Sequence, residues 1–340
     1  MSADAVRPLE EHAEWRAADV ADPDAWTLRL TDDDHVELDA ALTIARHRRE
    51  DVLDVTVDDF PLPGLASRLT ALVDDLVNGR GFARIASLDV ERLGPDDASW
   101  IYWGIGTHLG EPWPQNAKGH LLGNVRDQGK ALDDPTARGN EIGGSALGFH
   151  SDGSDLVGLM CLEPGVSGGE SMVANALLAH NELVRAEPTL AAQLYAPLPY
   201  DFRGEQRPGG RPFYSVPAFV EHGGRLFVRY IPGYIHASQR HANAPRLTDA
   251  QHEAMAAFDE LVADPGHRVE MRLERGEIQF VNNYHVLHAR RRYVDDADKG
   301  RVRWLKRLWL ATHLLGSEDR PARYQRTGAM SHWGDRRTKA

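Results

Sequence analysis

His150 and Asp152, two residues apart in Phe149-His150-Ser151-Asp152, carry side chains able to bind a divalent metal. His285 and His288, in Asn282-Asn283-Tyr284-His285-Val286-Leu287-His288-Ala289-Arg290, offer the same imidazole chemistry far downstream. Two imidazoles and one carboxylate on one face of a ferrous ion leave the opposite three positions open. That is room for a bidentate organic cosubstrate and dioxygen. Beyond them, Arg303-Trp304-Leu305-Lys306-Arg307 supplies guanidinium groups suited to an anion.

The short motif means little by itself. With 16 His and 51 Asp plus Glu in 340 residues, about two or three His-x-Asp/Glu triplets arise by chance. The chain has four: His12/Glu14, His35/Glu37, His150/Asp152 and His180/Glu182. Context separates the third. It lies between Gly143-Gly144 and the apolar run Leu156 to Leu162, which reads as a buried strand. If His150 and Asp152 are themselves in a strand, both side chains point to one face and can bind one metal. His12 and His35 fall in a charged N-terminal region and His180 follows a helix start near Asn175, so all three read as solvated surface.

In this order and context the pieces resemble the clavaminate synthase-like branch of the taurine dioxygenase (TauD/TfdA) superfamily of iron(II) and 2-oxoglutarate-dependent oxygenases. The resemblance runs over about residues 60–315 and includes a Gly-Gly-Glu-Ser turn at 168–171. It implies His150, Asp152 and His288 as iron ligands, with His288 preferred over His285 because the ligand immediately precedes an Ala-Arg pair. It implies Arg303 against the distal carboxylate of 2-oxoglutarate, with Ser171 where the family usually has a Thr. The implied cofactors are Fe(II), 2-oxoglutarate and O2. The implied reaction is oxidative decarboxylation of 2-oxoglutarate coupled to hydroxylation of an unactivated C–H bond in a small polar metabolite, such as an amino acid derivative or a specialised-metabolism intermediate. Desaturation and cyclisation use the same ligands. Asp152, where related halogenases have Ala or Gly, leaves no position for halide.

The last strand supports Arg303 from its own pattern. Over Arg301 to Leu310 the odd positions Arg301, Arg303, Leu305, Arg307 and Trp309 share one face, and Val302, Trp304, Leu308 and Leu310 make a mostly apolar opposite face. A planar guanidinium matches a carboxylate better than lysine does. Arg307 lies roughly 13 Å further along an extended chain, too far to share one small anion easily; it faces substrate or closes a structural ion pair. His285 reads as a core histidine or one next to the metal ligands. His236 and His241 have no carboxylate partner in the sequence pattern and read as loop residues, His236 a minor candidate for the substrate cavity.

Composition fits a cytoplasmic enzyme with a small-molecule substrate, as a monomer or a homo-oligomer. The formal net charge of −12 argues against a nucleic-acid partner. No signal-like segment or apolar span of about 18 residues argues for export or a membrane. The single cysteine, Cys161, excludes an intramolecular disulfide and a cysteine-based zinc site.

The elements that must position these residues change character near residue 110. Before it, Thr31-Asp32-Asp33-Asp34 reads as a capped helix start. Leu65, Leu69, Leu72 and Leu76 repeat at helical spacing up to Asn78-Gly79, and a strand from Phe82 and a helix through Trp100, Ile101 and Ile105 follow. After it, strands dominate. Phe219 to Tyr230 reads as a hairpin about Gly223-Gly224, and Val269, Met271, Leu273 then Ile278, Phe280 alternate around a turn at Arg275-Gly276, with one helix at Asp249 to Val262. The expected fold is mainly β with surrounding α: a distorted double-stranded β-helix, or jelly roll, with N-terminal helices outside it. A single domain is expected, with its core at about 60–315, an N-terminal extension at 1–60 and a polar tail at 316–340. Residues 110–148 and 200–212 read as lids without structure of their own. In the resembling family the segment before the His-x-acid motif contacts substrate, which makes Gln115 and Asn116 candidates alongside Arg307. Two rival readings keep the same residues: a zinc hydrolase or isomerase, and a jelly-roll ligand-binding protein without catalysis.

Overall fold

Leu156–Glu163 is the central strand, and its residues explain the layering. The computed structural model describes residues 6–10, 13–131, 134, 137, 141–321 and 338–339. Along Leu156–Glu163 the even positions Leu156, Met160 and Leu162 pack toward helices, whereas Val157 and Cys161 point into the space between two sheets. Both faces are covered, which is why this stretch is a continuous apolar run. Ile278–Asn282 and Trp304–Thr312 flank it, antiparallel on either side. With Thr27–Arg29, Phe82–Ala86, Gly110–Pro112, His120–Val125 and Thr338–Lys339 they complete an eight-stranded sheet. A four-stranded sheet faces it, ordered Arg268–Met271, Ser171–Asn175, Val286–Arg290, Leu147–His150. The two sheets form the expected jelly roll.

Helices Asp32–Arg48, Ala66–Asn78 and Val90–Leu109 cover the outer face of the large sheet. Thr31 caps the first in a capping box with Asp34, and Leu69, Leu72 and Leu76 are the buried stripe of the second. The third approaches through Tyr102. A Cβ at Gly158 would lie 2.5 Å from the Tyr102 hydroxyl, so only glycine lets helix and sheet close at that point. Helices Ala176–Ala186, Pro188–Leu194 and Asp249–Ala263 and the hairpin Phe219–His222/Arg225–Val228 cover the small sheet. The N-terminal segment is part of this layer, with Val6, Leu9 and Ala13 in its core and Asn181 bonded to both the N–H and the carbonyl of Leu9.

The strands Arg268–Met271 and Ile278–Asn282 flank the expected turn at Arg275-Gly276, but they belong to different sheets because that turn crosses the sandwich. Gly276, at φ +84°, donates its N–H to the Cys161 carbonyl, and a Cβ there would run into the Leu88 carbonyl. Two expectations fail here. Residues 110–148 are not structureless, since they hold two strands of the large sheet and enter a strand of the small one. His180 is not solvated: it is fully buried, with Nδ1 3.0 Å from Asn181 Oδ1 and Nε2 2.7 Å from the Tyr195 hydroxyl. His35 lies on the half-buried side of the first helix, and His12 and most of the polar tail lie outside the described residues.

Burial pulls the His180 pKa down to about 4, the Asn181 contact opposing it only partly. The folded ring is therefore neutral, whereas the unfolded one protonates below its ordinary value of 6.5. Its contribution, about 3 kcal/mol at most, is complete above pH 6.5 and is lost as pH falls toward 4. Urea midpoints of the wild type should drop between pH 7 and 4.5, and His180→Gln should flatten that dependence.

Candidate metal centre

His288 projects from the third strand of the small sheet and pairs in register with His150, the last residue of the neighbouring strand Leu147–His150. The imidazole centroids are 4.3 Å apart. Asp152 is not in a strand, contrary to the geometry expected for residues i and i+2, but in the loop that follows. It reaches the same point because Asn283 holds that loop. The Asn283 Oδ1 accepts the Asp152 N–H at 2.8 Å, its Nδ2 donates to the Ser154 carbonyl at 2.9 Å, and its own N–H donates to the Asp155 carbonyl at 2.9 Å. One ligand atom from each of His150, Asp152 and His288 lies within 4.8 Å of the others.

The protonation states suit a cation. Burial lowers the His150 pKa and takes that of His288 to about 3, so both rings are neutral and keep a lone pair. At His150, Nδ1 lies 2.8 Å from the Gly148 carbonyl; donating to it leaves Nε2 free to ligate. Burial alone would raise the Asp152 pKa, but Arg307, then His288 and His150, outweigh it and hold the carboxyl near 2. Asp152 Oδ2 also accepts from Trp309 Nε1 at 3.0 Å and Arg307 Nη1 at 3.4 Å. Two neutral imidazoles and an ionised carboxylate are a donor set that ferrous iron accepts. Cys161 contributes nothing, its thiol buried between the sheets and pushed up to about 12.

Two cavities meet at the triad. The inner one, about 50 Å³, is lined by His288, Arg303, Arg290 and Ser171 with Leu159, Leu273 and Leu305 among its apolar walls. Arg303 and Arg290 are 5% and 7% exposed, and their guanidinium carbons lie 5.2 and 4.9 Å from the Tyr293 ring centre. Burial, and then the Arg290 charge, depress the Arg303 pKa to about 10. Arg303 forms no ion pair among the described residues; its backbone N–H donates to Asp295. Ser171 Oγ donates to Gln279 Oε1 at 2.7 Å. The outer cavity, about 280 Å³, is lined by His150, Asp152, Arg307 and Trp309 and also by Arg203, Arg229 and Tyr234.

The remaining candidates fall elsewhere. Arg307 lines both cavities and pairs with Asp152 at 3.4 Å. Gln115 is buried and lines neither cavity; its Oε1 accepts from Arg307 Nε at 2.7 Å and its Nε2 donates to the Arg307 carbonyl at 2.8 Å. Asn116 organises the turn before His120. His285 is buried outside the triad, its pKa taken to about 3 by burial. His236 is exposed and stacked on His252, and His241 does have a carboxylate partner, Asp201, at 3.3 Å. Arg203 falls within the expected lid 200–212, whereas Arg229, Tyr234 and Asn283 escape sequence reasoning; Arg229 and Asn283 lie in loops and turns, and Tyr234 in the helix Pro232–Ser238. Sequence reasoning placed Trp309 on the correct face without assigning it a role.

Asn283→Ala removes the brace under Asp152. It is expected to cost about 1–3 kcal/mol in urea unfolding and about 10- to 100-fold in metal affinity. Calorimetric metal titration checks the second part, and an unchanged affinity would show that the loop needs no brace.

Comparison with known proteins adds to this geometry. The sequence model of the family "Taurine catabolism dioxygenase TauD, TfdA family" matches residues 47–309. FR-33289 synthase of Streptomyces rubellomurinus is 31% identical over 307 residues, covering 89% of this chain and 90% of that protein. The taurine hydroxylase-like protein SAT17 of Stachybotrys chartarum is 24% identical over 298 residues, covering 84% of this chain and 75% of that one. Among solved structures, asparagine oxygenase in complex with Fe(II), 3-hydroxyasparagine and succinate superposes with a TM-score of 0.65 at 17% identity, covering 84% of this chain and 94% of that one. The non-haem iron oxygenase OrfP in complex with Fe and α-ketoglutaric acid gives a TM-score of 0.60 at 18% identity, covering 85% and 95%. No helix among the described residues is long and apolar enough to cross a membrane.

Proposed function

The chain belongs to the TauD, TfdA family of dioxygenases, and from that premise we propose that it is a non-haem Fe(II)/2-oxoglutarate-dependent oxygenase of the cytoplasm that hydroxylates a C–H bond of a small metabolite. The observation that carries this reading is the junction of two sites in one inter-sheet space. A two-histidine, one-carboxylate cluster opens on one side to a cavity that ends at the buried cation Arg303, and on the other to a larger cavity for substrate. The iron and the 2-oxo acid bound by OrfP, and the succinate found with asparagine oxygenase, support the same cofactors in this chain.

In this reading His150, Asp152 and His288 hold the iron, which when loaded with 2-oxoglutarate and O2 supplies an oxidant strong enough for an unactivated C–H bond. The protein's own part is positioning. Arg303, with Ser171 on the same wall, binds the distal carboxylate of 2-oxoglutarate. Arg307 and Trp309 fix the Asp152 carboxylate in its orientation and keep it ionised. The leucines around the inner cavity exclude water from the reacting centre. The test is an oxygen-dependent conversion of 2-oxoglutarate to succinate and carbon dioxide by the iron-loaded protein, accelerated by substrate. An iron-loaded protein that never consumes 2-oxoglutarate but hydrolyses esters or amides with zinc would overturn it.

A further inference from the structure

Arg320 lies in the stretch that composition marks as a polar tail, yet it is buried. It pairs with Asp155, a buried carboxylate three residues past the metal ligand Asp152. All the acceptor positions of that carboxylate are engaged. Oδ1 accepts from the Tyr284 hydroxyl at 2.8 Å and Arg320 Nε at 2.9 Å, and Oδ2 accepts from the Thr312 N–H at 2.9 Å and from Arg320 Nη2. The guanidinium is used as fully: Nη1 donates to the carbonyls of Leu315 at 2.5 Å and Gly316 at 3.0 Å, and Nη2 also donates to the Thr312 carbonyl at 3.2 Å.

The segments gathered at this carboxylate are the ones that build the metal centre. Asp155 belongs to the loop that carries Asp152, and its carbonyl accepts the N–H of Asn283, whose side chain holds the Asp152 N–H. Tyr284 is in the turn that leads into Val286–Arg290, the strand of His288. Thr312 ends the strand Trp304–Thr312, which carries Arg307 and Trp309, the two side chains bonded to Asp152 Oδ2. A buried ion pair is weak evidence for stability, because two apolar side chains of similar volume often pack as well. What apolar packing does not supply is direction, and four directed bonds on one carboxylate fix three chain segments relative to one another.

We propose that the Asp155–Arg320 pair positions the metal ligands, so that the C-terminal segment reaching Arg320 contributes to the metal centre. Neither residue lines the two cavities at the triad. They are positioning residues, acting through Asn283, Tyr284 and Thr312 on the placement of Asp152 and His288. The proposal rests on the metal-binding part of the oxygenase reading and needs neither 2-oxoglutarate nor turnover.

The test is anaerobic calorimetric titration of the full chain with Fe(II), at a temperature where urea unfolding curves show each variant folded. Arg320→Ala should weaken Fe(II) binding on the order of tenfold or more, the size expected for a group that orients a ligand without touching the metal. That variant leaves a buried carboxylate uncompensated. If it does not fold, Asp155→Asn combined with Arg320→Gln removes both charges together and should show the same loss. Asp59→Asn is the control. Asp59 is likewise buried and ion-paired, to Arg49 at 2.8 Å, but it ends a short helical turn in the layer outside the large sheet. Its loss should lower the urea midpoint and leave Fe(II) affinity that of the wild type. Wild-type Fe(II) affinity in Arg320→Ala or in the double variant, or an equal loss of affinity in Asp59→Asn, would overturn the assignment. Failure of the oxygenase reading looks different: the wild type would bind iron and give no absorption band with 2-oxoglutarate, whatever the variants do.

Discussion

Asp152→Asn, His150→Ala and His288→Ala are each expected to abolish ferrous binding, whereas His285→Ala leaves it intact. Each of the three removes a donor from a set in which all are mutually within 4.8 Å, so the loss should exceed the roughly 10- to 100-fold produced by removing an outer partner. Asp152→Asn is the sharpest of them because it keeps the shape of the side chain while deleting the charge that Arg307 stabilises. His285 is the internal control. It is as buried and as neutral as His288, on the turn just before the same strand, but lies outside the cluster. Calorimetric or absorption titration with Fe(II) separates the two histidines, and loss of binding in His285→Ala but not in His288→Ala would reverse the assignment.

Arg303→Ala should raise the 2-oxoglutarate requirement steeply while leaving iron binding unchanged. A charged hydrogen-bonded pair in a closed cavity is worth on the order of 2–5 kcal/mol, or roughly 30-fold to several thousandfold. Arg290 shares the cavity and lies against the same tyrosine ring, so some affinity should remain in Arg303→Ala and disappear in the double variant. The protein itself should not lose stability on this change. A buried cation with no ion pair among the described residues opposes folding in the absence of its anion. An unchanged 2-oxoglutarate requirement, measured from succinate formation, would move the role to Arg290.

What could be read from the sequence follows how local each signal is. The Leu69, Leu72, Leu76 stripe and the Thr31 capping box are set by neighbours a few residues away, and both occur where the spacing placed them. In the last strand the alternation holds from Arg303 onward: Leu305 and Trp309 face the inter-sheet core, and Leu308 and Leu310 face the helices. Arg301 breaks it, turning outward to pair with Glu163 before the strand begins. The errors are long-range. Met271 and Ile278 have the alternation of a hairpin, and nothing local shows that Gly276 carries the chain from one sheet to the other. The His-x-Asp pair was recognised through a strand geometry that it does not have. What brings Asp152 to His150 is Asn283, 131 positions away. His180 reads as solvated because it follows a helix start near Asn175, yet Asn181 and Tyr195 supply the partners that let it be buried.

The central claim is that iron and 2-oxoglutarate occupy one continuous site, and an anaerobic titration of the apoprotein with Fe(II) and then 2-oxoglutarate tests it most directly. A weak visible absorption band should appear only when both are present, be absent in His288→Ala, and require far more 2-oxoglutarate in Arg303→Ala. Bound iron with no such band at any 2-oxoglutarate concentration would contradict the claim.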